Sequence, residues 1–247
     1  MADAAGRALA KGILEMRTIY NRIFPIKKLY DVNLNPPAYI DRHKGKDFLI
    51  IASGNSAKEE SQEIKEFISR FDPIVMTANN MAWFITPHYH SFFNRGRFTM
   101  FVKNVHKESK IMLCPYFPKR LINKYYAGDY ELGIFRNEDN RTFDIKDGVI
   151  SSNCRSSALI NIGVAIVMGA RNIYAAGLDG FVGIYKSYKE YYRDDPRQCT
   201  YEEMRDIQGL YIDLIQEYLK KEGKQPFVII TKTYFNKHYK DVKEFLK

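Results

Sequence analysis

Phe48-Leu49-Ile50-Ile51-Ala52-Ser53-Gly54-Asn55-Ser56 reads as a buried strand running into a tight turn. Phe48 to Ala52 is an apolar run bounded by Ser53-Gly54, which suits a strand covered on both faces. Gly54 gives the turn its backbone freedom. Ser56, with Glu59 three residues on, is a capping box and predicts a helix start. Ile64, Phe67, Ile68 and Phe71 recur at helical spacing and share one face. Pro73-Ile74-Val75-Met76 opens a second apolar strand that ends in Thr77-Ala78-Asn79-Asn80. Strand, helix and strand make one unit of a parallel sheet. The expected class is therefore α/β: a three-layer α/β/α domain with a mostly parallel sheet.

Such a unit offers anion binding. A helix N-terminus carries unpaired N–H groups and a partial positive charge, and a small turn lets a phosphate come close. Ser53, Asn55 and Ser56 add side-chain donors. The competing reading is an ordinary capped strand-to-helix turn. The dinucleotide pattern GxGxxG is absent, as is the Gly-Lys-Ser/Thr of a P-loop.

A second polar lead-in, Ser151-Ser152-Asn153, precedes the apolar run Ala158 to Met168, read as a buried helix that Gly169 ends. A strand at Ile173 to Ala176 follows and closes in Gly177-Leu178-Asp179-Gly180. Ligands of open α/β sheets sit at strand carboxyl ends. Gly54, Asn79 and Asp179 all fall at such ends, and Asp179 reads either as a ribose-hydroxyl acceptor or as a turn cap.

Elsewhere the pattern is weaker. His88 and His90 alternate on an expected third strand, but no acidic or Cys neighbour completes a metal set. Asn94-Arg95-Gly96-Arg97 reads as a polar turn. Ile111 to Cys114 reads as a strand and Lys119 to Tyr126 as a helix. Tyr130 to Phe135 and Arg141 to Ile150 read as irregular strands, a small inserted hairpin beside the site. Gly183 to Cys199 is rich in Tyr and charge, including Tyr185, Tyr188, Asp194 and Asp195, and reads as a lid or as solvated surface. Thr200 with Glu203 caps a long helix closed by Gly223. Phe227 to Thr231 is the last strand, and His238 follows it.

The chain has 247 residues, 14% of them aromatic, and a net charge of +9. That length supports one large domain with a full core. The positive balance suits an anionic partner. The basic residues are dispersed, which argues against nucleic acid. Cys114, Cys154 and Cys199 form no metal or redox spacing, and a reducing cytoplasm is the expected location. No segment approaches a membrane span. Residues 1–38 are expected as an N-terminal helix and linker, and 39–247 as the main domain. Leu9, Ile13, Met16 and Tyr20 share a face of that helix, amid basic residues. It reads as a docking helix or as one lying on an anionic membrane surface.

Taken together, Ile50 to Ser56, Thr77-Ala78-Asn79-Asn80, Ser151-Ser152 and Ile173-Tyr174-Ala175-Ala176-Gly177-Leu178-Asp179 resemble the small bacterial sialyltransferases, with their Rossmann-like (GT-A-like) fold. The same outline is similar to motility accessory factor proteins, hydroxymethylpterin diphosphokinases and a domain found behind aldolase-type barrels in carbohydrate clusters. The resemblance covers roughly residues 46–231. It implies a glycosyltransferase that uses a CMP-type nucleotide-activated sugar in surface glycan assembly, with a glycan acceptor and neither metal nor cofactor. It also implies substrate contacts from Ser53, Gly54, Asn55, Ser56, Asn79, Asn80, Ser151, Ser152, Asn153, Gly177 and Asp179. Tyr185 and Tyr188 would hold the leaving phosphate. The family's His general base has no counterpart at 194–199, which leaves Asp194, Asp195 or His238 for that role. Two alternatives stand beside this: a non-catalytic nucleotide or sugar-phosphate module, and a diphosphotransferase. A homo-oligomer is a further expectation.

Overall fold

The computed structural model describes residues 34–81, 85–138, 141–154, 156–181 and 201–247. The expected N-terminal helix, the Tyr-rich stretch with Tyr185, Tyr188, Asp194 and Asp195, read as a lid, and the expected Thr200 cap lie outside them. Ten strands are described: β1 (Phe48–Ile51), β2 (Ile74–Ala78), β3 (Tyr89–Phe92), β4 (Lys110–Leu113), β5 (Tyr130–Leu132), β6 (Phe135–Asn137), β7 (Phe143–Lys146), β8 (Val149–Ser152), β9 (Ile173–Ala176) and β10 (Val228–Ile229). Seven form one sheet in the order β10-β9-β1-β2-β3-β4-β5. Every pairing in it is parallel. The helices are α1 (Asn55–Glu59), α2 (Ser61–Phe71), α3 (Arg95–Phe101), α4 (Lys119–Tyr125), α5 (Ser157–Val167), α6 (Tyr201–Lys221) and α7 (Val242–Leu246).

The continuous apolar run of β1 has a direct cause. Phe48 and Ile50 enter the core under α5 and α6, whereas Leu49 and Ile51 enter the core under α1, α2 and α7. All four side chains are fully buried. A strand between two helical layers has no solvent face, so its period-2 polar alternation disappears. α3 and α4 cover β3 and β4 through Phe92, Phe98, Ile111 and Leu113. The result is a three-layer, Rossmann-like α/β/α fold.

Four local expectations are corrected. The single helix read from Ser56 to Phe71 is two, broken at Glu60, whose φ of −102° and ψ of 25° leave the helical region. There the Glu60 carboxylate accepts the Lys232 N–H at 2.9 Å, a contact across the sequence that local propensity cannot anticipate. The Ser56 capping box does not form: Gly54 is the cap residue, with no side-chain bond. Asn94 to Arg97 is no free turn, because Asn94 Oδ1 accepts the Arg97 N–H and caps α3. The inserted hairpin is larger than expected: β7 and β8 pair antiparallel, and β6 adds in parallel to β8 as a three-stranded sheet. Its segment begins where Gly133 and Ile134 leave β5.

Chain order places the site. From β1 the sheet grows through β2 to β5 on one side, and the chain then returns to the other side of β1 as β9 and β10. The carboxyl ends of β1 and β9 flank a topological switch point, where open α/β sheets bind ligands.

Candidate functional site

The turn after β1 is stitched to the turn after β9. Ala52 N–H donates to Ala176 O at 2.8 Å, and Gly54 N–H to Gly177 O at 3.0 Å. Ser56 gives its N–H to Asp179 Oδ2 at 3.0 Å and its hydroxyl to Asp179 Oδ1. Thr231 Oγ1, just beyond β10, sits 2.8 Å from Ser56 Oγ and accepts the Gly177 N–H at 2.8 Å. Three strand ends are thus joined by Ser56, Asp179 and Thr231. Gly177 has φ of +73°, a conformation suited to glycine.

This arrangement changes what the first turn can do. The Ser56 N–H at the start of α1 already serves a carboxylate of the protein. Ser56 is buried, and Asn55 gives its side-chain N–H to Glu59. The helix is only five residues long. Asp179 therefore caps α1 from a position 123 residues away. Asp179→Ala is expected to destabilise the protein by about 1–3 kcal/mol, since it strands the Ser56 N–H and leaves the Ser56 hydroxyl only Thr231 Oγ1 as a partner. Urea unfolding of the variant against wild type reads that loss, and Asp179→Asn, which keeps one acceptor oxygen, should lose less.

The end of β2 differs. Asn79 adopts a left-handed φ of +62°. Asn79 Oδ1 and Asn80 Oδ1 are both buried and have no hydrogen-bond partner. Below them lies a polar group in the sheet interior. Thr77, His90, Ser91 and Asn161 are each at most 1% exposed. His90 Nε2 lies 2.6 Å from Asn79 O. A carbonyl only accepts, so Nε2 carries the ring proton, and Nδ1 accepts from the Thr77 hydroxyl at 3.2 Å. Burial pulls the His90 imidazole down to about 4 from its ordinary 6.5, and it is neutral near pH 7. His88 does not join it: His88 precedes β3 and its Nδ1 accepts the Val75 N–H.

The remaining sequence candidates fall in three places. Ser151 and Ser152 end β8, and Asn153 begins the link from it to α5. Ser152 Oγ is buried and accepts the Cys154 N–H at 3.1 Å. Ser53 and Asn55 are exposed at the first turn. His238 is not brought to this edge. Its ring stacks on Phe227, which precedes β10, and its Nε2 lies 3.1 Å from Asp213 Oδ1. Phe227 is at the amino end of that strand, the far side of the sheet from Thr231.

Sequence reasoning missed His90 and Asn161 as site neighbours, and Arg205. Asn161 was legible as the one amide in an apolar helix. Arg205, in the first turns of α6, lies over the Tyr234 ring at 4.3 Å, and its Nε is buried with no partner. Tyr234 N–H donates to Asp179 O, so this cation stands beside the β9 corner. The two described thiols are poor nucleophiles: burial pushes Cys114 up to about 11 and Cys154 up to about 12. Among the described residues no group of three or more His, Cys, Asp or Glu side chains is placed to hold a metal ion, and no helix is long and apolar enough to cross a membrane.

No protein-family model and no curated protein matches the sequence. Among solved structures, the MAf glycosyltransferase from Magnetospirillum magneticum AMB-1 is similar to this chain, at 13% identity and a TM-score of 0.39 over 64% of its residues. The chain spans 28% of that protein's length.

Proposed function

We propose that this chain binds a nucleotide across the carboxyl ends of β1, β2 and β9 and acts as a metal-independent glycosyltransferase on a CMP-type sugar. One observation carries the binding half of this reading: the paired, buried and unsatisfied amide oxygens of Asn79 and Asn80 beside the switch point. Unpaired buried acceptors are unfavourable, and a ligand with hydroxyl or amino donors satisfies them. A ribose and a cytosine-like base carry such donors. Arg205 supplies a cation for the phosphate side. The transfer half rests on the resemblance of Ile50 to Ser56, Asn79 and Asp179 to the sialyltransferase pattern, with Asp194 or Asp195 as the base.

A second reading, a binding module without transfer, is favoured by His238, which stacks on Phe227 instead of facing the strand ends.

Thermal unfolding with CMP, CDP, UDP, GDP and ATP, with and without magnesium, tests the binding half. A ligand at a hundred times its Kd stabilises by about 2.7 kcal/mol, roughly a 5–10 °C rise for a protein of this size. The expected outcome is such a rise with CMP or CDP, equal in EDTA. A rise with ATP only in magnesium points to the diphosphotransferase instead, and no rise with any of them overturns the nucleotide assignment. If CMP binds, release of CMP from a CMP-sugar separates the transferase from the module.

A further inference from the structure

We propose that Asn161 is a positioning residue for Asn79, acting through Thr77, Ser91 and His90. The inference rests on the reading of Asn79 as ligand-facing.

Residues Ala158 to Val167 of α5 are all buried, and Asn161 is the one amide among aliphatic side chains and glycine. Its Nδ2 lies 3.3 Å from Thr77 O. That oxygen only accepts, so the amide N–H faces it and Oδ1 points elsewhere, buried and unpaired. The amide is therefore a net burden on the fold. Without it Thr77 O would still accept the Ser91 hydroxyl at 3.1 Å, and no group would be stranded. In some proteins buried polar groups that add no stability fix register and orientation, and that is the role inferred for Asn161.

What it orients follows from the connections. Strand alternation turns Tyr89 and Ser91 toward α5, and His90 and Phe92 toward the opposite layer. Asn161 and Ser91 thus fix the Thr77 carbonyl from one side of the sheet. The Thr77 hydroxyl holds His90 on the other side, and His90 holds Asn79 O. Asn79 N–H donates to Ser91 O at 3.1 Å. Asn79 is gripped at both its N–H and its carbonyl, and the grip maintains the left-handed turn that takes its side chain out of the strand alternation. The polar network sets a ligand-facing backbone from inside an apolar core.

Asn161→Leu in the full chain tests this with three readouts: melting temperature, hydrogen exchange of the Asn79 amide, and CMP affinity. The expected result is a melting temperature unchanged or raised by about 2–4 °C. Exchange at Asn79 should quicken at least about tenfold while β1 and β9 amides keep their rates, and CMP affinity should fall by about tenfold or more. Unchanged exchange at Asn79 overturns the proposal. So does a lower melting temperature with faster exchange throughout the sheet, which marks Asn161 as a plain structural residue. Asn161→Ala gives the same exchange readout if leucine does not pack. Faster exchange at Asn79 in a chain whose wild type binds no CMP upholds the relay and rejects the nucleotide reading.

Discussion

Gly54→Ala is expected to destabilise the protein by about 3 kcal/mol, the top of the usual range for overpacking and enough to lower the melting temperature by roughly 6–12 °C. The cause is steric and not conformational. A β-carbon on Gly54 would stand 2.2 Å from Gly177 O and 2.4 Å from Asp179 Oδ1. The first obstacle is backbone, so no side-chain rotation relieves it. Moving the turn away breaks the Gly54–Gly177 bond and pulls Ser56 from Asp179 as well. Gly223→Ala is the natural comparison. Gly223 has φ of +63° but nothing within 4 Å of the added carbon, so its alanine variant should lose only about 1 kcal/mol. Denaturant unfolding of both variants decides the matter: equal losses would mean that the β1 turn and the β9 turn are not packed as described.

The second large effect is a loss of stability on acidification, carried by His90. An unfolded imidazole titrates near 6.5, and burial holds the folded one at about 4. Between these values the unfolded chain binds a proton that the folded chain refuses. Stability therefore rises with pH across this window, is complete above pH 6.5 and is lost as pH falls toward 4. The full span corresponds to about 3 kcal/mol. His90→Gln keeps an N–H for Asn79 O but does not titrate. Unfolding free energies at pH 7 and pH 4.5 should differ by about 2–3 kcal/mol less in the variant than in wild type. Parallel pH dependence in the two proteins would assign the acid sensitivity to other groups.

The main sheet was legible because its strands are short apolar runs set off by Gly, Pro and Asn. β1, β2, β4, β9 and β10 are all of that kind, and α5 was legible from its length and composition. Gly169 and Gly223 mark helix ends as expected, with φ of +81° and +63°. The misreadings share a cause. The capping-box rule looks three residues ahead, whereas the partner of Ser56 lies 123 residues on. The break at Glu60 likewise answers to Lys232, 172 residues away. Glu60 itself is a good helix former, so nothing local signals the interruption. For the candidate site, sequence placed Asn79, Asn80, Gly177 and Asp179 at strand ends, since strand ends can be read. It could not tell that Asp179 is engaged by Ser56 while the Asn79 and Asn80 oxygens are unpaired. That distinction depends on which groups meet in space.

The interior position of β1, between β9 and β2, also has a meaning in time. β1 pairs with β2 through Phe48 and Ile74, only 26 residues apart, but with β9 through Phe48 and Ile173, 125 residues apart. At about 5–20 residues per second of synthesis, β2 follows β1 within about 1–5 s, while β9 follows about 6–25 s after it. Throughout that interval an interior strand of the finished sheet is an open edge, wholly apolar, on a growing chain. Such edges recruit strands from other molecules. Ser56 waits about as long for Asp179, 123 residues on, and longer for Thr231, 175 residues on, so the seam that joins these strand ends closes late.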